Sequence, residues 1–314
     1  MVAEHRSEIL LESGTNEIEI MEFTIAGNVF GINVAKVREI MIPSPVIKMP
    51  HAHEAVEGIF KPRDTVLTTI NLPKYLNLPE TDSSERNLFI ITNFNQMHVA
   101  FRVHSVVGIE RITWESIQKP DNIIYGGDDG VATGLAECDG RIITILDFEK
   151  IVAEISPQTS IQLSDLDDIG KRQLNNHPIY IAEDSALLTR LVIECLQKAG
   201  YTNLKKFNNG QELWDYLKSH ENDKNILDNV ALIMTDIEMP QMDGHRLTKL
   251  VKDHHIFKQI PVIIFSSLIN DEMRVKGKQL GADGQISKPE ILTLVSMIDN
   301  LIALSQSKRQ KVNG

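Results

Sequence analysis

After Pro178 the chain repeats one pattern five times: a short strand-like run, then a stretch with helical spacing. The runs are "PIYIA" at 178–182, "NLKKF" at 203–207, "VALIMT" at 230–235, "IPVIIFSS" at 260–267 and "GQIS" at 284–287. Short continuous apolar runs are the mark of strands buried on both faces of a parallel sheet. Between the first two, Leu188, Leu191, Val192 and Cys195 fall at i, i+3, i+4 and i+7, one face of a helix ending at Gly200. "GQELWDYLKSH", "HRLTKLVKD", "NDEMRVKGKQLGA" and "EILTLVSMIDNLIAL" read as the following helices. Strands alternating with helices in this way predict a doubly wound α/β domain with five parallel strands.

Open α/β sheets keep their chemistry beyond the carboxyl ends of the strands. At those ends stand Glu183 and Asp184, then Asp236, then Ser266 and Ser267, then Lys288 followed by Pro289. One edge of the sheet is thus expected to gather three carboxylates, a hydroxyl and an ammonium. Singly, each has an ordinary role as a helix cap, a turn residue or a solvated lysine. Packed together, three carboxylates raise one another's pKa unless a cation joins them. Hard oxygen ligands with room for water suit Mg²⁺. With the metal and the lysine neutralising the transferring oxygens, such a site can accept a phosphoryl group onto a carboxylate.

The first half of the chain has a different period. "EIEIMEFTIAG" alternates, "VFGINVAKVREIM" begins likewise, and "NLFIITNFNQMHVAFRVHSVVGI" reads as a hairpin turning at 93–96. "GRIITILDFEKIV" closes a set of short strands of the kind found in small barrels or a sandwich. Residues 154–177, rich in Ser, Asp, Asn and Gln, read as a linker. The 314 residues therefore divide into two domains.

Residues 178–306, with the acid pair, the Asp after the third strand, the Ser and the Lys-Pro, resemble a response-regulator receiver domain of flavodoxin-like fold. The resemblance implies that Asp236 accepts the phosphoryl group while Ser266 and Lys288 contact its oxygens. It also implies that Glu183, Asp184, Asp236 and the backbone carbonyl of Glu238 hold Mg²⁺. The acid pair is Glu-Asp rather than the commoner Asp-Asp, and Gln285 stands where many receivers carry Tyr or Phe. Residues 16–153 resemble a CheW-like coupling domain, an all-β pair of SH3-like barrels. The carrying segments are "FTIAGNVFGINVAKVREIM" at 23–41, "VEGIFKPRDTVLTTINL" at 56–72 and "GLAECDGRIITILDFEKIV" at 134–152. Arg63 falls on the family's arginine position, which implies a partner contact, while Asp64 replaces a glycine and Asn71 the usual Asp.

The two joined in this order resemble the CheV type of chemotaxis coupling protein. That resemblance implies a cytoplasmic, non-enzymatic scaffold at chemoreceptor arrays. It would couple methyl-accepting chemoreceptors to a CheA-type histidine kinase, and phosphorylation at Asp236 would modulate it. The receiver would catalyse only its own Mg²⁺-dependent phosphorylation and dephosphorylation. The alternative is a phosphate sink that drains phosphoryl groups from the kinase.

Other features are weaker. A net charge of −11 argues against nucleic acid as a partner. No stretch approaches the ~18 apolar residues of a membrane span, and the N-terminus lacks a signal peptide's apolar core. Cys138 and Cys195 are too far apart in sequence to suggest a disulfide framework. His51 and His53 lack a third metal ligand, "GGDDG" at 126–130 reads as a turn, and Trp114 and Trp214 read as packing residues.

Overall fold

Alternation in the first strand sorts its side chains between two cores. In the computed structural model β1 (Glu17–Ile25) sends Ile18 and Ile20 into one apolar cluster and Met21, Phe23 and Ile25 into another. The structure describes residues 16–79, 87–94, 97–119, 130–157, 161 and 172–313, with side chains to Ser307. The described residues divide into two compact units, one within 18–157 and a second made of 16–17 with 161 and 172–313.

The first unit holds two five-stranded sheets. One runs β8 (Ser105–Thr113), β1, β2 (Asn28–Asn33), β10 (Arg141–Leu146), β9 (Ala132–Cys138). The other runs β3 (Val37–Met41), β6 (Leu88–Phe94), β7 (Met97–Val103), β5 (Leu67–Asn71), β4 (Val56–Phe60). Each curls over a small core of its own, Ile18, Ile20, Trp114 and Ile145 in the first, Phe60, Phe89 and Ile91 in the second. A third cluster joins them, with Phe23 and Ile32 from one sheet meeting Ile90 and Phe101 from the other. This arrangement is the expected pair of small barrels. The expected hairpin is β6 with β7, Phe94 facing Met97 across the turn; residues 95–96 lie outside the described residues, as does most of the turn expected at 126–130.

One expectation is corrected. "GRIITILDFEKIV" does not stay a strand to its end: α2 spans Phe148–Ile155, following the short α1 (Leu72–Tyr75). Asp147 caps α2, its side chain accepting from Lys150 N at 2.9 Å. At that point the apolar spacing changes from two to three and four, and Phe148, Ile151 and Val152 drop into the shared cluster.

In the second unit all five expected strands form: β11 (Ile179–Ala182), β12 (Leu204–Phe207), β13 (Leu232–Thr235), β14 (Val262–Ser266) and β15 (Gly284–Ser287). All pair in parallel in the order β12-β11-β13-β14-β15. The chain reverses direction of winding beside β11, which opens a crevice between β11 and β13. The helices are α3 (Ala186–Lys198), α4 (Gly210–Ser219), α5 (Ile226–Asn229), α6 (Gly244–Asp253), α7 (Asp271–Gln279) and α8 (Ile291–Asn313). Cores on both faces cover the sheet: Val192, Cys195 and Ile298 pack on one, Leu213, Leu247 and Phe257 on the other. Much of the segment read as a linker lies outside the described residues, but Ile161 is buried in this unit's core and Arg172 pairs with Asp299 at 2.6 Å.

Candidate functional site

Parallel pairing sets the strand ends level, and this gathers the charged residues. Asp236 directly follows β13, its N–H donating to the Ala182 carbonyl at the end of β11 at 3.0 Å. Glu183 and Asp184 follow β11, Ser266 ends β14, and Lys288 follows β15 with its N–H donating to the Ser266 carbonyl at 3.1 Å. Asp236, Glu183, Ser266 and Lys288 are all buried. The Lys288 ammonium donates to Glu183 Oε2 and to Asp236 Oδ2, each at 2.8 Å. Asp236 Oδ1 accepts from Ile237 N at 2.6 Å, and Glu183 Oε1 accepts from Ser185 N at 3.2 Å. Ser266 Oγ accepts from Leu268 N at 3.4 Å, so its hydroxyl hydrogen remains to serve another acceptor.

Carboxylates crowd this crevice. Ligand oxygens of Glu183, Asp184 and Asp236 lie within 4.8 Å of one another, and the Lys288 ammonium pairs with two of the three. Burial, with Asp236 and Asp184 adding to it and Lys288 opposing, pushes the Glu183 carboxyl up to about 8. Carboxylates crowded in this way favour a cation among them, and their oxygen-only donor set fits Mg²⁺.

Gly244 is needed beneath the site. Its N–H donates to the Ile237 carbonyl at 3.0 Å, and a Cβ there would stand 1.8 Å from the Asp236 carbonyl oxygen. The sequence marks this glycine only as loop punctuation; the close backbone approach belongs to the fold.

A second group of possible ligands, Glu221, His254 and His255, is built differently. His254 Nδ1 accepts from the backbone N–H groups of Ile256 and Phe257, both at 3.3 Å. The ring proton therefore sits on Nε2 and points to Glu221 Oε1 at 3.1 Å, leaving no lone pair for a metal. His53 Nδ1 is likewise used, accepting from Ala55 N at 3.2 Å. Trp114 is buried and Trp214 partly buried against apolar clusters. Gln285 donates to the Arg274 carbonyl at 2.8 Å, its side chain lying against Gly277 of α7.

In the first unit Arg63 is 77% exposed and lies 3.5 Å from Glu39 Oε2. Among the described residues, no helix is long and apolar enough to cross a membrane.

Comparison with known proteins gives both units a family. Residues 19–156 match the CheW-like domain and residues 179–299 the response regulator receiver domain. Chemotaxis protein CheV2 of Helicobacter pylori is 28% identical over 87% of this chain and 90% of its own length. CheV1 of the same organism is 23% identical over 92% of this chain and 95% of its own length. Chemotaxis protein CheW of Thermotoga maritima is 26% identical over 48% of this chain, covering 98% of its own length.

Proposed function

We propose that this chain, a CheV-type chemotaxis protein that joins a CheW-like domain to a response regulator receiver domain, is a phosphorylation-modulated coupling adaptor. Its first unit docks chemoreceptors and a CheA-type histidine kinase, with Arg63 on the docking surface, in the cytoplasm at receptor arrays. Its second unit adjusts that coupling when Asp236 carries a phosphoryl group. The observation that carries the reading is the buried crevice of three carboxylates and one ammonium, on a chain whose other half is CheW-like.

In this reading an Asp236 carboxylate oxygen attacks the phosphorus of a donor phosphohistidine. A P–O bond forms as the P–N bond breaks, and the departing imidazole nitrogen takes up a proton. Lys288, already on Asp236 Oδ2, is placed to follow negative charge onto the phosphoryl oxygens. Ser266 offers its hydroxyl hydrogen to another of them. Glu183, Asp184, Asp236 and the Glu238 carbonyl would hold Mg²⁺, which when bound neutralises charge on the transferring group. Burial of the crevice strengthens each of these contacts relative to water.

The test is a minimal mixture of receptor, kinase and this chain, with no other phosphoacceptor. An Asp236→Asn chain should still bind but should no longer change receptor-controlled kinase activity with time after ATP is added. A variant that behaves as wild type in that mixture overturns the adaptor reading. If the variant alters only phosphoryl lifetime on an added competing regulator, the chain is a phosphate sink.

A further inference from the structure

The loop from Ile237 to Asp243 carries the Glu238 carbonyl and leads from Asp236 into α6. Its ends are tied by the bond from Gly244 N to the Ile237 carbonyl. Its far side contains Gln241 at φ 69, a left-handed conformation that a residue other than glycine keeps only where its surroundings impose it. Two asparagines impose it. Asn209, the residue before α4, donates from Nδ2 to Gln241 Oε1 at 3.2 Å.

The other is Asn16, 225 positions earlier in the chain and grouped with this unit. Its Nδ2 donates to the Gln241 carbonyl at 2.7 Å, and its Oδ1 accepts from Asp243 N at 3.1 Å. One carboxamide thus pairs with two backbone groups on either side of Met242, whose side chain is buried. Asn16 is itself 7% exposed and sits at φ 62, where asparagine is among the few residues tolerated. The Asp243 N–H is buried and its bond to Asn16 is not easily replaced by water, while the Gln241 carbonyl is only part-buried, so loss of the Asn16 side chain costs the loop chiefly at Asp243.

We propose that Asn16 is a positioning residue of the phosphoacceptor site: by holding the backbone at 241–243 it presets the loop that bears the Glu238 carbonyl. The proposal rests on the reading of Asp236, Glu183 and Asp184 as a Mg²⁺-dependent acceptor site. It makes Asn16, directly before β1, one of the receiver's working parts despite its distance in sequence. Asn16 touches neither metal nor phosphoryl group; it acts through the loop.

The test is calorimetric titration of the full chain with MgCl₂, with no phosphodonor present. Asn16→Gly removes the carboxamide while suiting the left-handed backbone, so the fold is kept. It should weaken Mg²⁺ binding by about threefold to tenfold, the scale of one or two lost hydrogen bonds. Asn209→Ala should shift it in the same direction by a smaller factor. Val192→Ala, which loosens the core on the other face of the sheet, should lower Tm without changing the Mg²⁺ Kd. Equal Kd values for wild type and Asn16→Gly overturn the proposal alone. A Kd that follows Tm in all three variants reduces Asn16 to a structural role and also overturns it. A wild-type chain that binds no Mg²⁺ overturns the acceptor-site reading itself, and this proposal with it.

Discussion

Both units bury charged side chains, and the contrast lies in how those charges are paired. In the CheW-like unit ion pairs join Lys36 to Glu149 at 2.9 Å, Arg102 to Glu57, and the buried Glu22 to the partly exposed Arg141 at 3.2 Å, although neither Glu22 oxygen has a hydrogen-bond partner. In the receiver crevice Lys288 is shared between Glu183 and Asp236 with Asp184 close by, and the buried Glu183 is pushed up to about 8. The pairs of the CheW-like unit tie separate strands and helices together. A crowded cluster of carboxylates stores electrostatic cost that a cation can relieve. On the proposed reading the receiver works through buried residues, whereas the CheW-like unit would work through its surface, where Arg63 projects.

The contrast is broken most directly at Asp236. Asp236→Asn should lower labelling by acetyl phosphate or phosphorylated kinase by at least about 100-fold, because an amide is a poor nucleophile. The variant should melt no lower than wild type, since the substitution removes one of the crowded charges. Labelling at the wild-type rate would move the acceptor elsewhere.

Glycines compare the two units as scaffolds. Gly244→Ala drives a Cβ into backbone 1.8 Å away and should destabilise the receiver by on the order of 2–4 kcal/mol. Gly140 lies in the turn between β9 and β10 at φ 71, and a Cβ added there would meet nothing within 4 Å. Gly140→Ala should therefore cost only about 1–2 kcal/mol of backbone strain. Calorimetric melting of the full chain measures both. Equal losses would remove the distinction between a site glycine and a turn glycine.

A third difference is in acid sensitivity. His245, the second residue of α6, is buried with Nε2 lacking a partner, and burial, with Lys276 nearby, pulls its imidazole down to about 3. The unfolded chain binds this proton near pH 6.5 and the folded chain only near pH 3, so stability is unaffected above 6.5. It falls as pH drops between those values, by up to about 1.4 kcal/mol per pH unit. Between pH 6.5 and 5 the loss from this group should reach about 2 kcal/mol, and His245→Leu should flatten that part of the receiver's Tm profile. A profile unchanged by the substitution would mean that His245 is not the group responsible.

The smallest effect on stability is expected at Arg63. Its contact with Glu39 is long and exposed, so Arg63→Ala should change folding stability by less than about 0.5 kcal/mol. Its effect should instead be on capture of kinase or receptor by the full chain. Undiminished capture would remove Arg63 from the docking surface.

Much of this molecule is legible in its residues because short-range physics wrote it. The apolar runs that became β11, β13 and β14 could be little else than buried parallel strands, with the less apolar β12 and β15 flanking them at the sheet edges. The polar residues that end the strands had to fall on one edge. That is why Glu183, Asp184, Asp236, Ser266 and Lys288 stand out from the residues alone. The change of period at Asp147 is also written there, in the spacing of Phe148, Ile151 and Val152, but a strand reading carries past its cap. Three things lie beyond the residues taken in order. The crowding of charge needs the distances that put Lys288 between two carboxylates. The role of Gly244 needs the carbonyl of Asp236 folded back above it. The grip of Asn16 on Gln241 and Asp243 needs a contact across 225 positions, and no periodicity carries information over that span. Pattern sets which residues can share a face or an edge; only packing sets which of them touch, because contact energies fall off within a few ångströms.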